Sequence, residues 1–233
     1  MPWLVIMTQN IKLYLVRHGE TYFNTCQKIQ GWSDSLLTKA GVNQAAILGD
    51  GLKNLPFSKV YSSDLGRAKG TADIVFSVRH DKMMDELEIV PNFREQFFGS
   101  FEGDNLNMLS QLFEDDDKLL SSVVNDSELA KFKSEDDIMN QFKLVDPTHE
   151  AENASEFWKR VDQGFNYVYS KAHDGDKILI ITHGALIRKL ATRFTGTDHQ
   201  NPDNASLSIF EMDETKCMKL VSYDQLVSRK SSL

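Results

Sequence analysis

The sequence predicts an α/β chain: a three-layer α/β/α sandwich with a mostly parallel central sheet and an inserted helical cap. Three observations carry this. The runs from Ile11 to Val16 and from Lys177 to Thr182 are short and almost wholly apolar, as strands buried on both faces must be. Stretches of helical periodicity alternate with such runs, the pattern left by crossover connections in a parallel sheet. Finally, the segment from about 104 to 152 stands apart in charge. It holds 13 acidic and 4 basic residues, a net of −9, in a chain whose total is −8.

The elements follow in order. Ile11 to Val16 forms the first central strand, bounded by Asn10 and by Arg17-His18-Gly19. Thr38 caps a helix running to about Lys53, with Ala45, Ala46, Leu48 and Leu52 inward and Gly51 near its end. Val60-Tyr61-Ser62 is a short strand, after which Ser63 or Asp64 caps a helix to about Phe76. Glu88 to Val90 is a strand stopped by Pro91. In the acidic insertion, apolar residues recur at helical spacing: Leu106, Leu109 and Phe113; Leu119 and Val123; Ile138 and Phe142. A long helix follows with Phe157, Val161, Phe165 and Val168 inward. Lys177 to Thr182 is the second central strand. His183-Gly184 opens a helix carrying Leu186, Ile187, Leu190 and Phe194 on one face, and Leu207 to Met212 and Met218 to Ser222 close the sheet.

The 233 residues suit a single domain with one insertion. A net charge of −8 disfavours nucleic acid and anionic membrane surfaces as partners. No apolar run approaches the ~18 residues of a membrane span, and the apolar start Trp3 to Met7 lacks the basic flank and length of a signal peptide, so the reading is cytoplasmic. Met7 is an alternative start. Cys26 and Cys217 read as two free thiols, buried or half-buried. The run Glu114 to Asp117 reads as a solvated face rather than a metal site, and no metal-ligand or nucleotide-loop spacing occurs elsewhere. A monomer or a homodimer fits equally.

In open α/β sheets ligands sit beyond the carboxyl ends of the strands. Arg17-His18 and His183 each follow a buried strand directly, so the topology brings distant residues to one pocket. With them come Asn24, Gln30-Gly31-Trp32, Ser62 to Ala68 with Arg67, Arg94-Glu95, Phe98-Gly99, Phe101-Glu102-Gly103 and Thr182-His183-Gly184. Over residues 11 to about 103 and 176 to about 210 this string resembles the histidine phosphatase superfamily, in its phosphoglycerate-mutase-like branch.

The chemistry suits such a resemblance. A phosphate monoester needs a nucleophile, fixed positive charge on the phosphoryl oxygens and an acid for the leaving oxygen. A neutral imidazole is a competent nucleophile near pH 7, which assigns His18. Arg17 and Arg67 are permanent cationic forks. His183 donates a further hydrogen bond or positive charge from a helix start, where backbone N–H groups from Gly184 onward and the positive dipole end add to it. Asn24 and Gln30 add neutral polar groups, and Gly31 permits close backbone approach. Glu95 is the general acid by resemblance, next to the aromatic Phe97, Phe98 and Phe101, and a salt bridge to Arg94 or Arg17 is its alternative role. Glu102 reads as a loop stabiliser. Trp32 either lines the pocket mouth or packs. His80, His149, His173 and His199 match no motif and read as surface residues.

The resemblance covers hydrolases and mutases. Its mutases carry a tyrosine three residues after the acid, a lysine eleven after it and a nearby arginine pair. Here those positions are Phe98 and Leu106, and no arginine occurs between Arg94 and Arg160. The acidic insertion would repel a second strongly anionic ligand, unless Lys118, Lys131, Lys133 or Lys143 reaches the site. The expectation is therefore a phosphomonoesterase acting on a small phosphorylated metabolite without metal or other cofactor. Its alternatives are a cofactor-dependent phosphoglycerate mutase and a catalytically idle phospho-ligand binder.

Overall fold

A computed structural model describes residues 9–80, 85–106 and 134–227. The described residues form six strands in one sheet: β1 (Ile11–Arg17), β2 (Lys59–Ser62), β3 (Leu87–Ile89), β4 (Lys177–Thr182), β5 (Leu207–Met212) and β6 (Met218–Gln225). Their order is β3-β2-β4-β1-β5-β6. Pairing is parallel from β3 through β1 and antiparallel from β1 to β6. The apolar runs explain the centre. Ile11, Leu13 and Leu15 of β1, with Ile178 and Ile180 of β4, face one helical layer. Tyr14 and Val16, with Leu179 and Ile181, face the other. Alternation with burial on both sides is what a period of two gives in a central strand.

After the single turn α1 (Tyr22–Thr25), one layer holds α2 (Lys39–Leu52) and α3 (Gly66–Arg79), which bury Ala45, Leu48, Leu52, Ala68, Ala72, Val75 and Phe76. The other holds α5 (Ala154–Lys171) and α6 (Gly184–Thr195), with Phe157, Val161, Phe165, Val168, Leu186, Ile187 and Leu190 inward. The three-layer sandwich is therefore as the sequence predicts. Thr38 caps α2 by accepting from Gly41 N, again as predicted. Among the described residues no helix is long and apolar enough to cross a membrane.

Three local expectations change. Helix α3 starts later and ends later than read, with Leu65 rather than Ser63 or Asp64 at its cap. Both polar residues are committed elsewhere: Asp64 pairs with Arg94, and Ser63 Oγ lies 2.9 Å from His183 Nε2. Strand β6 extends to Gln225, three residues past the expected end. Both cysteines are free, but both are exposed rather than buried.

Of the acidic insertion, helix α4 (Glu135–Val145) is described; the readings at Leu109, Phe113, Leu119, Val123, Glu114 to Asp117, Lys118, Lys131 and Lys133 lie outside the described residues, as does the run Trp3 to Met7. Ser134 caps α4, and Met139 and Phe142 are buried under it. Phe142 joins Ile29, Phe101 and Ala151 in a third apolar cluster, flanked by Phe98, Leu106 and Ile138. Asp146, at the end of α4, ties this unit to the loop after Glu95. Its buried carboxylate accepts from the Ser100 and Thr148 hydroxyls and from the backbone N–H groups of Ser100, Thr148, Glu150 and Ala151. Burial pushes this carboxyl up, but the hydrogen bonds from Ser100, Ala151 and Thr148 outweigh it and hold the group far below the usual carboxylate range. Asp146→Ala leaves these buried donors without an acceptor, and a loss of about 3 kcal/mol or more is expected in urea unfolding. With the pKa depressed on folding, the stabilisation is present at neutral pH and disappears as pH falls below ~3.9.

Candidate active site

The register places the site. Arg17 of β1 pairs with Thr182 of β4, so the next residue of each strand, His18 and His183, emerges side by side. The His18 N–H bonds the Thr182 carbonyl, and the two ring centroids lie 5.3 Å apart. Strand β2 ends at the same edge, and Ser63 beyond it reaches His183. His183 is the N-cap of α6, so the start of that helix faces the site. At Gly184 a Cβ would stand 3.0 Å from Arg17 Nε and 3.3 Å from its Cζ, so glycine there is what lets the guanidinium lie against the helix start.

His18 Nδ1 lies 2.8 Å from the Gly19 carbonyl, which can only accept. The ring proton is therefore on Nδ1 and the lone pair on Nε2. Arg67 Nε donates to that lone pair at 3.1 Å. The rest of the Arg67 fork is taken by the carbonyls of Gln30, Gly31 and Ser33 and by Asp34. Arg67 is itself 1% exposed, so the loop 30–34 is moulded around it. In contrast, Arg17 Nε and His183 Nδ1 are buried and have no partner among the described residues. Arg17 Nε is a donor, and buried donors are nearly always satisfied, so the space beside it suits a hydrogen-bond acceptor.

Burial, with the charges of Arg67 and Arg17, pushes the His18 pKa well below its usual value. Burial pushes His183 down as well, helped by Arg67 and by the neighbouring His18. Both rings are neutral at pH 7. The acid limb of kcat/KM is therefore expected below the ~6.5 of a free imidazole, and a pH–rate profile breaking at or above that value would contradict this. The sign for stability follows. The unfolded chain protonates both rings near pH 6.5 while the folded chain resists, so stability falls with pH below that point, by up to about 2.7 kcal/mol per unit for two groups.

Glu95 is 6% exposed, and its carboxylate accepts from Ala185 N of α6 at 2.8 Å and from Gln96 N. The alternative salt bridge to Arg94 does not form, because Arg94 pairs with Asp64. Trp32 packs rather than lining the pocket. It lies between Arg94 and Phe97, and its Nε1 donates to the Glu95 carbonyl. Glu102 is the loop stabiliser expected, accepting from the N–H groups of Gly31, Trp32, Ser33 and Phe98. Gly31 does its work there. A Cβ would meet the Gln96 carbonyl and the Glu102 carboxylate at 2.2 Å, so the close approach is between loops. Asn24 is likewise partly committed, its Oδ1 accepting from Thr21 and Asn204. Gln30 bonds Thr21 and Ser35.

A cavity of about 550 Å³ opens over this floor. Arg17, His18, Asn24, Gln30, Glu95 and Gly184 reach it, and Ile29, Phe98, Leu106, Ile138 and Phe142 give it an apolar wall. Four titratable lining residues escaped the sequence reading as site residues: Lys28, Arg188, Lys189 and His199. His199 is thus a cavity residue, bonded to Thr195 and stacked on Tyr223. Arg188 and Lys189 both pair with Glu135, the first residue of α4, and Lys189 is nearly fully buried. The available signal was positional: a helix that opens at the site turns its first two turns toward it. Lys143 pairs with Glu156.

The comparisons with known proteins come to the same place. The model of the histidine phosphatase superfamily (branch 1) matches residues 13–225. A "probable phosphoglycerate mutase" of Erwinia tasmaniensis is 29% identical over 186 residues, covering 80% of this chain and 75% of that one. The crystal structure of a phosphoglycerate mutase from Bacillus anthracis is 31% identical, with a TM-score of 0.82 over 94% of this chain and 95% of that one. The alpha-ribazole phosphatase of Shigella flexneri is 26% identical, with a TM-score of 0.69 over 95% and 98%. With its paired histidines at the ends of adjacent parallel strands, the chain belongs to the histidine phosphatase superfamily, branch 1.

Proposed function

We propose that this chain is a phosphomonoesterase that forms a phosphohistidine on His18 and acts on a small phosphorylated metabolite without a metal ion. The observation that supports this most is a neutral, tautomer-fixed His18 that lines the cavity with Arg17 and has Arg67 and His183 packed directly beside it. The His18 Nε2 lone pair attacks phosphorus as the bond to the leaving oxygen breaks. Arg67 Nε leaves the Nε2 lone pair for a phosphoryl oxygen as the attack begins, and with Arg17 and His183 it bears the charge on the phosphoryl group. Glu95 gives a proton to the leaving alcohol, then takes one from the water that attacks the phosphohistidine, freeing phosphate and His18. The apolar wall from Ile29 to Phe142 favours a leaving group with some hydrocarbon.

Two observations favour a second reading, a phosphoglycerate mutase. Two of the similar proteins bear that name, and Lys28, Arg188 and Lys189 add positive charge to the cavity. Hydrolysis remains the better supported reading, because Glu135 already occupies Arg188 and Lys189. The deciding experiment is turnover of p-nitrophenyl phosphate with and without EDTA, beside a bisphosphoglycerate-primed isomerisation assay. EDTA-insensitive phosphate release with slow isomerisation is expected. Fast isomerisation would install the mutase, loss of turnover in EDTA would end metal independence, and no turnover over a broad panel would favour a phospho-ligand binder.

A further inference from the structure

We infer that the Arg160–Glu152 ion pair is a positioning device for Glu95, setting how well that carboxyl protonates the leaving group. The inference rests on the proposed role of Glu95 as the acid. Arg160 lies on α5, and all five of its guanidinium N–H bonds are used. Nε and Nη2 fork onto Glu152 at 2.7 Å each, Nη1 donates to the carbonyls of Asn92 and Arg94 at 2.8 and 2.9 Å, and Nη2 donates to the Glu95 carbonyl at 3.1 Å. Glu152 in turn accepts from Phe97 N, and its own N–H bonds the Phe97 carbonyl. One ion pair therefore grips the chain on both sides of Glu95. The helix can come this close because Gly164 faces Asn92 and Phe93, where a Cβ would stand 2.8 Å from Asn92 Cβ.

The clamp acts on the Glu95 backbone, and the carboxylate is fixed separately by Ala185 N. Trp32 Nε1 shares the Glu95 carbonyl at 2.9 Å. Every Arg160 N–H is spent on Glu152 and on the carbonyls of Asn92, Arg94 and Glu95, and none reaches His18 as Arg67 Nε does, so Arg160 acts on the Glu95 segment rather than on a phosphate. Its segment is also sterically defined: Asn92 Nδ2 bonds back to the Arg160 carbonyl, closing the clamp from the other side. Loosening it would leave the His18 and Arg67 arrangement in place while misplacing the proton donor. A misplacement of this kind harms only reactions that need the proton.

The test is a leaving-group series, from p-nitrophenyl to p-methoxyphenyl phosphate, with kcat/KM measured for the wild type, Arg160→Lys, Glu152→Gln and Glu95→Gln. The nitrophenol departs unaided, and the methoxyphenol needs the acid. Both clamp variants are expected to lose about 10-fold or more on the poorer leaving group relative to the better one, with inhibition by inorganic phosphate unchanged. Trp32→Phe, which removes one donor and keeps a ring, covers the case in which the clamp variants do not fold, and about 3-fold in the same direction is expected. A parallel fall on all substrates, or no fall, would overturn the clamp. A Glu95→Gln variant with no leaving-group dependence would instead overturn the role of Glu95 itself.

Discussion

His18→Ala is expected to lower kcat for p-nitrophenyl phosphate by at least about 10⁴-fold, since removal of a nucleophile leaves only the background contributed by binding and charge. The same variant should yield no acid-labile phosphoenzyme on rapid quench, whereas the wild type should. Stability should change little or rise in mild acid. Among the described residues the ring makes two hydrogen bonds, to Gly19 and Arg67, and its burial as a neutral group penalises the folded state below pH ~6.5. Loss of turnover together with a retained cooperative unfolding transition would therefore isolate the chemistry. Turnover surviving in His18→Ala would move the nucleophile elsewhere, and a phosphoenzyme surviving there would do the same more directly.

The parts of this arrangement legible in the sequence were those set by local rules. The runs from Ile11 and from Lys177 carry the period-two burial of central strands, and each ends directly before a histidine, so strand topology alone places His18 beside His183. Glu95 and Arg67 were found by the resemblance, not by pattern, because each lies on a turn or helix start whose position depends on the whole sheet. What stayed hidden depends on pairings between distant segments. Ser63 and Asp64 look like helix caps until His183 and Arg94 claim them. Gly31 looks like an opening for substrate until the Gln96 carbonyl fills the space. Arg188 and Lys189 carry no local signal in the sequence, and only the docking of α4 through Glu135 shows that they border the cavity. The acidic excess of the insertion was read as repulsion of anions; in part it is the opposite, a carboxylate drawn onto two cations.

Arg67→Ala is expected to damage folding and chemistry together, and the proportion between them is informative. The guanidinium serves Gln30, Gly31, Ser33 and Asp34 as well as His18, with no exposure of its side chain. Burial lowers its pKa, offset by Asp34 and Glu95, and it remains cationic. Its removal strands the buried carbonyls of the loop 30–34, while Asp34 keeps the N–H groups of Gly66 and residue 67, a loss of about 3 kcal/mol in urea unfolding. It also removes a fixed cation from the phosphoryl oxygens and the donor that orients Nε2, a further fall in kcat/KM of about 10³-fold or more among molecules that remain folded. Arg67→Lys should recover little of either, because one ammonium cannot span His18 and the loop carbonyls at once. Added guanidinium ion at millimolar concentration separates the two effects: partial recovery of kcat/KM in the alanine variant, without recovery of the unfolding midpoint, is expected. If the variant lost stability yet kept wild-type kcat/KM at temperatures where it is folded, Arg67 would be a strut for the loop 30–34 alone, and the charge on the transferring group would have to be borne by Arg17 and His183.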